Sequence, residues 1–209
     1  MKPIFITGTG TDVGKTLVAA IVTEALEADY WKPIQAGFSG GTDSLFVSQM
    51  ISNTKSKIHP ELYLLKMPAS PHISAAAEGK EISIKNIIAH LPSTKNQLII
   101  EGAGGLMVPL NKIKLILNLI KELEAKVVIV SKNELGSINH SLLTAAVLKK
   151  EKINVAGWIF TDRYLDYESE IAGWTGYPVI GSVKHLSVIS KKTIRDEALK
   201  LRPSLNSVL

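Results

Sequence analysis

Residues 5–16 read FITGTGTDVGKT: a short apolar run, three glycines in seven residues, and then Gly14-Lys15-Thr16. A strand that runs into glycines and then into a helix aims several backbone N–H groups at one point, where the helix dipole also favours an anion. The stretch therefore predicts a loop that holds phosphate. Lys15 would add a mobile charge for the outer phosphates, and Thr16 a hydroxyl suited to Mg²⁺. A glycine-rich turn with a solvated lysine is the alternative, and the coincidence of strand, helix and G-K-T argues against it. The register is unusual. The pattern G-x-x-x-x-G-K-[ST] needs glycine at position 9, whereas here Thr9 stands between Gly8 and Gly10. That offset marks an atypical subclass of the loop.

Working outward, strand-like and helix-like segments alternate along the chain. Strands are expected at residues 3–7, 30–34, 97–101, 126–131, 154–160 and 178–183. Most are apolar runs without polar alternation, as in parallel strands covered on both faces. Helices are expected at residues 16–28, 112–124 and 138–151. Each carries an apolar stripe at helical spacing: Val18, Ile21, Val22 and Ala25 in the first, for example. This order implies an α/β fold: a three-layer α/β/α sandwich with a mostly parallel central sheet, of the phosphate-loop NTPase type. Residues 58–79, which include KMPASPHISAAAEG, read as loop because two prolines fall within four residues. No repeat or linker interrupts the pattern, so residues 1–209 are expected to form one domain.

Composition narrows the function classes. The chain has 45% hydrophobic and 21% charged residues, enough for a core and ordinary in charge. No apolar run approaches the roughly 18 residues of a membrane span, and no targeting segment is expected at the N-terminus. With no cysteine there are no disulfides, thiolate zinc sites or cysteine nucleophiles, which fits a cytoplasmic enzyme. The net charge of +5 is scattered rather than gathered beside aromatics, so no nucleic-acid partner is expected. The densest basic stretch, KKTIRDEALKLR, is broken by Asp196 and Glu197 and reads as a solvated helix face. Trp31, Trp158 and Trp174 read as packing residues. No histidine has metal-ligand spacing.

Ligands of open parallel sheets bind at the C-terminal ends of the strands, and three further ends carry polar residues. WKPIQAG places Lys32 near the loop, although a lone lysine is more often solvated. In SGGTDSL, Asp43 read alone caps a helix over residues 44–51. LIIEGAGGLMVPL closes an apolar strand with Glu101 and follows it with Gly102, Gly104 and Gly105. Taken together, Thr16, Asp43 and Glu101 supply one hydroxyl and two carboxylates, sensible hard-oxygen ligands for Mg²⁺. SKNELGSINH puts Gly136 and Ser137 at a helix start able to accept a carboxylate.

These motifs, with GGTDS, ASPHISA, LGSINHSLLT and AGWIFTD, occur in the order and rough spacing of the dethiobiotin synthetases, which residues 1–162 resemble well and the tail weakly. The resemblance implies a homodimeric, Mg²⁺- and ATP-dependent cyclo-ligase of biotin biosynthesis. Such an enzyme closes the ureido ring of dethiobiotin from 7,8-diaminononanoate and CO₂ through a carbamate-phosphate. It implies catalytic Lys32 and Lys15, and metal at Thr16, Asp43 and Glu101. ATP would contact Asp12, Val13, Gly14, Lys15, Thr16 and Leu17, then Asp43, Glu101, Gly102, Ala103 and Gly104. The base side would fall to Thr161, Asp162, Lys184, His185 and Leu186. Thr11, Ala36, Gly104, Gly105 and Leu106 would line the diamine site, with Ser137, Ile138 and Asn139 reaching it from the partner subunit.

Three departures stand out. Ala36 replaces the Ser or Thr usual in the family, Thr161 replaces its common Asn, and residues 181–186 replace its proline-containing purine loop. Asn both donates to and accepts from a base edge while Thr has one hydroxyl, so relaxed base selection is expected. Two other readings remain: a partitioning-type nucleotide switch, and a nucleotide-binding relative without catalysis. The switches carry a signature lysine early in the loop, where this chain has Gly10.

Overall fold

The computed structural model describes residues 1–209. The apolar run of the quoted stretch forms β1 (Ile4–Gly8), buried along its whole length, and the glycines lead into α1 (Lys15–Leu26). Then come β2 (Asp29–Trp31), β3 (Ile34–Ala36), α2 (Asp43–Met50), β4 (Ile58–His59), β5 (Tyr63–Leu65), α3 (Pro71–Ala77) and α4 (Ile84–Ala89). The second half comprises β6 (Leu98–Gly105), α5 (Ile116–Glu122), β7 (Lys126–Lys132), α6 (Ser137–Lys150), β8 (Val155–Thr161), α7 (Glu168–Thr175), β9 (Val179–Val183) and α8 (Lys191–Val208).

Seven strands make one sheet in the order β4-β2-β6-β1-β7-β8-β9, every pair parallel, with β1 at the centre. Alternate side chains of a strand leave on opposite faces, and both faces are apolar here. Phe5, Val127, Ile129, Trp158 and Phe160 join the core under α5, α6 and α7. Their neighbours Ile4, Ile6, Val128, Val130 and Ile159 join the core under α1 and α8. The expected three-layer sandwich follows. No helix is long and apolar enough to cross a membrane.

The structure departs from the sequence expectations in five places. The run at 30–34 is not one strand. Pro33 lacks an N–H for the ladder, the chain breaks at Lys32-Pro33, and β3 pairs with β5 in a separate two-stranded sheet. Residues 58–79 are not all loop, because Pro71 occupies the first position of α3, where a missing N–H costs nothing. The helix expected from 112 begins at Ile116. Before it, Asn111 Oδ1 accepts from the amides of Ile113 and Lys114 to make a turn, which leaves Ile113 exposed. The basic C-terminal stretch is solvated on one face only. Its other face buries Ile194, Ala198, Leu201 and Leu205 against the sheet and α1. Gly181 allows that approach, since a Cβ there would stand 2.2 Å from Leu201 Cδ2. Trp174, expected in the core, is exposed on α7.

Candidate functional site

The offset glycines of the phosphate loop have separate tasks. A Cβ at Gly8 would lie 2.6 Å from Val13 Cγ2, so Gly8 is where the loop folds back on itself. Gly10 is uncrowded, a Cβ there meeting only Val13 Cγ1 at 3.9 Å, and its carbonyl accepts from Lys15 Nζ at 2.7 Å. Gly14 caps α1 with φ +86°, a left-handed backbone that disfavours any side chain. Because α1 starts at Lys15, the first amides of that helix have no intrahelical acceptor and remain free for an anion. Lys15 is itself buried. Desolvation pulls its pKa down from 10.5 to about 8, and Lys32 adds to the fall while Glu101, Asp12 and Asp43 oppose it.

Beside the loop, charges converge on Glu101, which the last buried turn of β6 brings next to β2 and β1. Lys32 Nζ lies 2.9 Å from Glu101 Oε1 and 2.5 Å from Asp43 Oδ2. Thr16 Oγ1 donates to the same Glu101 Oε1 at 2.9 Å, and Tyr30 OH donates to Oε2 at 2.8 Å. Burial works hardest against the charge on Lys32, yet Glu101 and Asp43 together raise its pKa above the ordinary lysine value. Lys32 is therefore a fixed cation. Asp43 is not a cap: Thr42 accepts the capping bond from the Leu45 amide, and Asp43, first residue of α2, turns its carboxylate to Lys32.

Thr11, Asp12, Gly14, Lys15, Thr16 and Leu17 line a cleft of about 770 Å³ with Lys32, Ala36, Asp43, Glu101, Ala103 and Gly104. The chemistry of the donors suits a divalent cation that arrives with phosphates. Thr16, Asp43 and Glu101 meet around Lys32, while no cluster of three His, Cys, Asp or Glu side chains would hold a metal unaided. Mg²⁺ keeps several waters and phosphate ligands, so two carboxylates and a hydroxyl are sufficient. Gly105 and Leu106 line a smaller cavity of about 410 Å³ on the far side of Thr11, bordered by α6. Val13 and Gly102 face neither cavity. Val13 offers its carbonyl to Thr161, and Gly102 sits against Phe5.

The residues expected on the base side do not converge in the same way. Thr161 is buried, and its hydroxyl donates to Val13 O at 2.9 Å, bracing the phosphate loop rather than facing a base. Asp162 stands at φ +58° with its carboxylate near Lys132 (3.8 Å) and His185 (3.4 Å). Lys184 and His185 are exposed, while Leu186 packs on the core beneath α8. Gly181 to Val183 belong to β9, so the replaced purine loop begins only at Lys184. Ser137 also differs from expectation. It is buried, and its hydroxyl is 2.6 Å from Tyr167 OH in the same chain. Ile138 packs against the core, and only Asn139 of the three is exposed.

Sequence reading missed Tyr30 and Gln35. Gln35 is buried in the cleft wall, donates to Gly37 O at 2.8 Å and accepts from the Asp43 amide at 3.2 Å. A signal for Tyr30 existed: it precedes Lys32 by two residues, and in a strand such residues share a face. Ser70 and Pro71, from the ASPHISA motif, also line the cleft.

Comparison with known proteins bears on this geometry. A family model described as "AAA domain" matches residues 2–193. The chain is 48% identical to the ATP-dependent dethiobiotin synthetase BioD of Cytophaga hutchinsonii, over 96% of this chain and 97% of that protein. It is 44% identical to the protein of the same name from Christiangramia forsetii, over 98% of each. Among solved structures, the MinD cell division protein of Aquifex aeolicus matches with a TM-score of 0.59 over 97% of each chain. At 16% identity that is a likeness of fold alone.

Proposed function

This chain belongs to the ATP-dependent dethiobiotin synthetase family, and from that premise we propose how its cleft carries out the reaction. The protein is an ATP-using ligase of biotin biosynthesis, and the switch reading is not favoured. One amine of 7,8-diaminononanoate captures CO₂ as a carbamate. The carbamate oxygen attacks the γ-phosphorus of ATP and releases ADP. The second amine then attacks the carbonyl carbon, loses a proton and expels phosphate, closing the ring.

The observation that carries this reading is Lys32, a buried cation locked between Glu101 and Asp43 at the edge of the cleft. Carbamate formation and phosphoryl transfer both gather negative charge, and catalysis of such steps is largely positioning and electrostatic stabilisation. Lys32 faces the carbamate oxygens, and Lys15 with the amides of α1 faces the outer phosphates. Thr16, Asp43 and Glu101 would hold Mg²⁺, which when bound would neutralise phosphate charge. Thr11, Gly104 and the methyl of Ala36 border the diamine, one hydroxyl contact fewer than is usual. A homodimer belongs to the same proposal. Asn139 and the free amides at the start of α6 would receive the diamine's carboxylate across the interface. We place the reaction in the cytoplasm, where ATP is held.

The test supplies diaminononanoate, bicarbonate, Mg²⁺ and ATP and follows phosphate together with ring-closed product. Diamine-dependent release of one phosphate per product is expected. Phosphate release indifferent to the diamine would return the switch reading, and nucleotide binding without turnover would return the non-catalytic one.

A further inference from the structure

One six-residue segment, YWKPIQ from Tyr30 to Gln35, reaches both acidic residues of the site: Tyr30 bonds the Glu101 carboxylate and Gln35 the Asp43 backbone amide. Glu101 divides its oxygens. Oε1 takes Thr16 and Lys32, the two groups that line the cleft, whereas Oε2 takes only Tyr30 OH, at 2.8 Å. Tyr30 is wholly buried, so no water can replace its hydroxyl. A carboxylate pinned at its inner oxygen can pivot only about that oxygen, and so Oε1 is presented to the cleft.

Gln35 does the corresponding work for Asp43. Its Nε2 is anchored on Gly37 O, and its Oε1 receives the Asp43 amide, which fixes the first residue of α2. The Pro33 break is what allows this arrangement, because it turns β3 out of the main sheet and brings Gln35 under α2.

We propose that Tyr30 and Gln35 are positioning residues for the metal-bound nucleotide: they act through Glu101 and Asp43, which they set for the cation, Tyr30 from the core and Gln35 from the cleft wall. Without the Tyr30 hydroxyl, Glu101 Oε2 becomes a buried acceptor with no donor. The carboxylate then rotates to share Lys32 between its two oxygens and withdraws from the cleft. The inference rests on the metal role given above to Thr16, Asp43 and Glu101.

Tyr30→Phe removes one oxygen and keeps the ring, and Gln35→Met keeps the side-chain length. Calorimetry compares binding of Mn²⁺·ADP with binding of ADP in EDTA, and steady-state assays record the Mg²⁺ concentration for half-maximal turnover. For Tyr30→Phe, Mn²⁺·ADP affinity should fall about 10–100-fold, the range usual for the loss of an outer-shell partner, and the Mg²⁺ requirement should rise in step. ADP in EDTA should stay within about twofold. Gln35→Met should move the same quantities in the same direction by less. Equal weakening with and without metal would show that the segment merely supports the loop, and an unchanged Mn²⁺·ADP affinity would remove the role altogether; either result overturns the proposal. The underlying reading fails differently, in a wild-type protein whose Mn²⁺ and diamine have no effect on each other and that forms no ring-closed product.

Discussion

The phosphate-loop cleft and the proposed base side at the ends of β8 and β9 are built on opposite principles. At the ends of β1, β2 and β6 Lys15, Lys32 and Glu101 are buried, Asp43 is half-buried, and all are bonded within the site: Lys32 to Glu101 and Asp43, Thr16 and Tyr30 to Glu101, Lys15 to Gly10 O. At the ends of β8 and β9 the pairs are longer and solvated, with His185 82% exposed in its contact with Asp162. Exposed pairs of that kind contribute about 0–1 kcal/mol, whereas a buried network holds its geometry in a medium where charge acts strongly. The phosphate half is therefore preorganised and the base half permissive. The one buried hydroxyl of the base half, on Thr161, is spent on the phosphate loop.

Lys32→Ala tests the rigid half and should give the largest effect. Turnover should fall about 10²–10³-fold, the usual loss for a donor aimed at developing charge. Nucleotide affinity should change only a few-fold, since the amides of α1 and Lys15 remain. Thermal or urea unfolding should also report a loss on the order of 3 kcal/mol, because Glu101 and Asp43 lose their shared cation. Equal losses in turnover and nucleotide binding would break the assignment of Lys32 to the reacting group.

The permissive half predicts a smaller effect, read with wild-type protein. A site that hydrogen-bonds a base edge rejects the wrong base by orders of magnitude, and a site lacking those bonds does not. With Thr161 Oγ1 donating to Val13 O, kcat/KM for ATP, CTP and GTP should agree within about tenfold. An ATP preference beyond about a hundredfold would mean that Asp162 or the Lys184-His185 turn reads the base after all, and the contrast between the halves would disappear.

The same contrast explains what the sequence revealed. Lys15, Lys32, Asp43 and Glu101 were legible because each closes or follows an apolar strand whose period and length define its end, and parallel sheets bind ligands at such ends. Their mutual bonds span 69 residues for Lys32 and Glu101, and 85 for Thr16 and Glu101, and no local pattern encodes them. Tyr30 was hidden because a tyrosine in an apolar strand reads as core, and Gln35 because its partners come from a turn and a helix start. Ser137 and Thr161 carried hydroxyls toward an expected ligand, but tertiary packing turned both onto the protein's own groups. The C-terminal helix was half legible: its charges were plain, while its apolar face became meaningful only once α1 offered a surface to cover.

The smallest effect sharpens the comparison most finely, because it asks how closely the phosphate half is poised around an anion it must accept. Desolvation lowers Lys15 to about 8 in the free protein. Since the folded value lies below the ordinary 10.5, the folded state binds fewer protons than the unfolded one between about pH 8 and 10.5. The cost of burying the charged lysine is thus fully present below pH 8 and fades as pH rises through that window. Bound phosphate acts in the opposite sense, because its negative charge restores the proton. Nucleotide binding at about pH 9 should therefore take up most of one proton, and at about pH 6.5 none through Lys15. Calorimetry in two buffers of different ionisation heat reads the uptake directly. Above about pH 8 the affinity should fall toward tenfold per pH unit. A binding reaction at pH 9 that takes up no proton would mean that Lys15 keeps its charge without the anion, and that the rigid half is less desolvated than its closed hydrogen bonds imply.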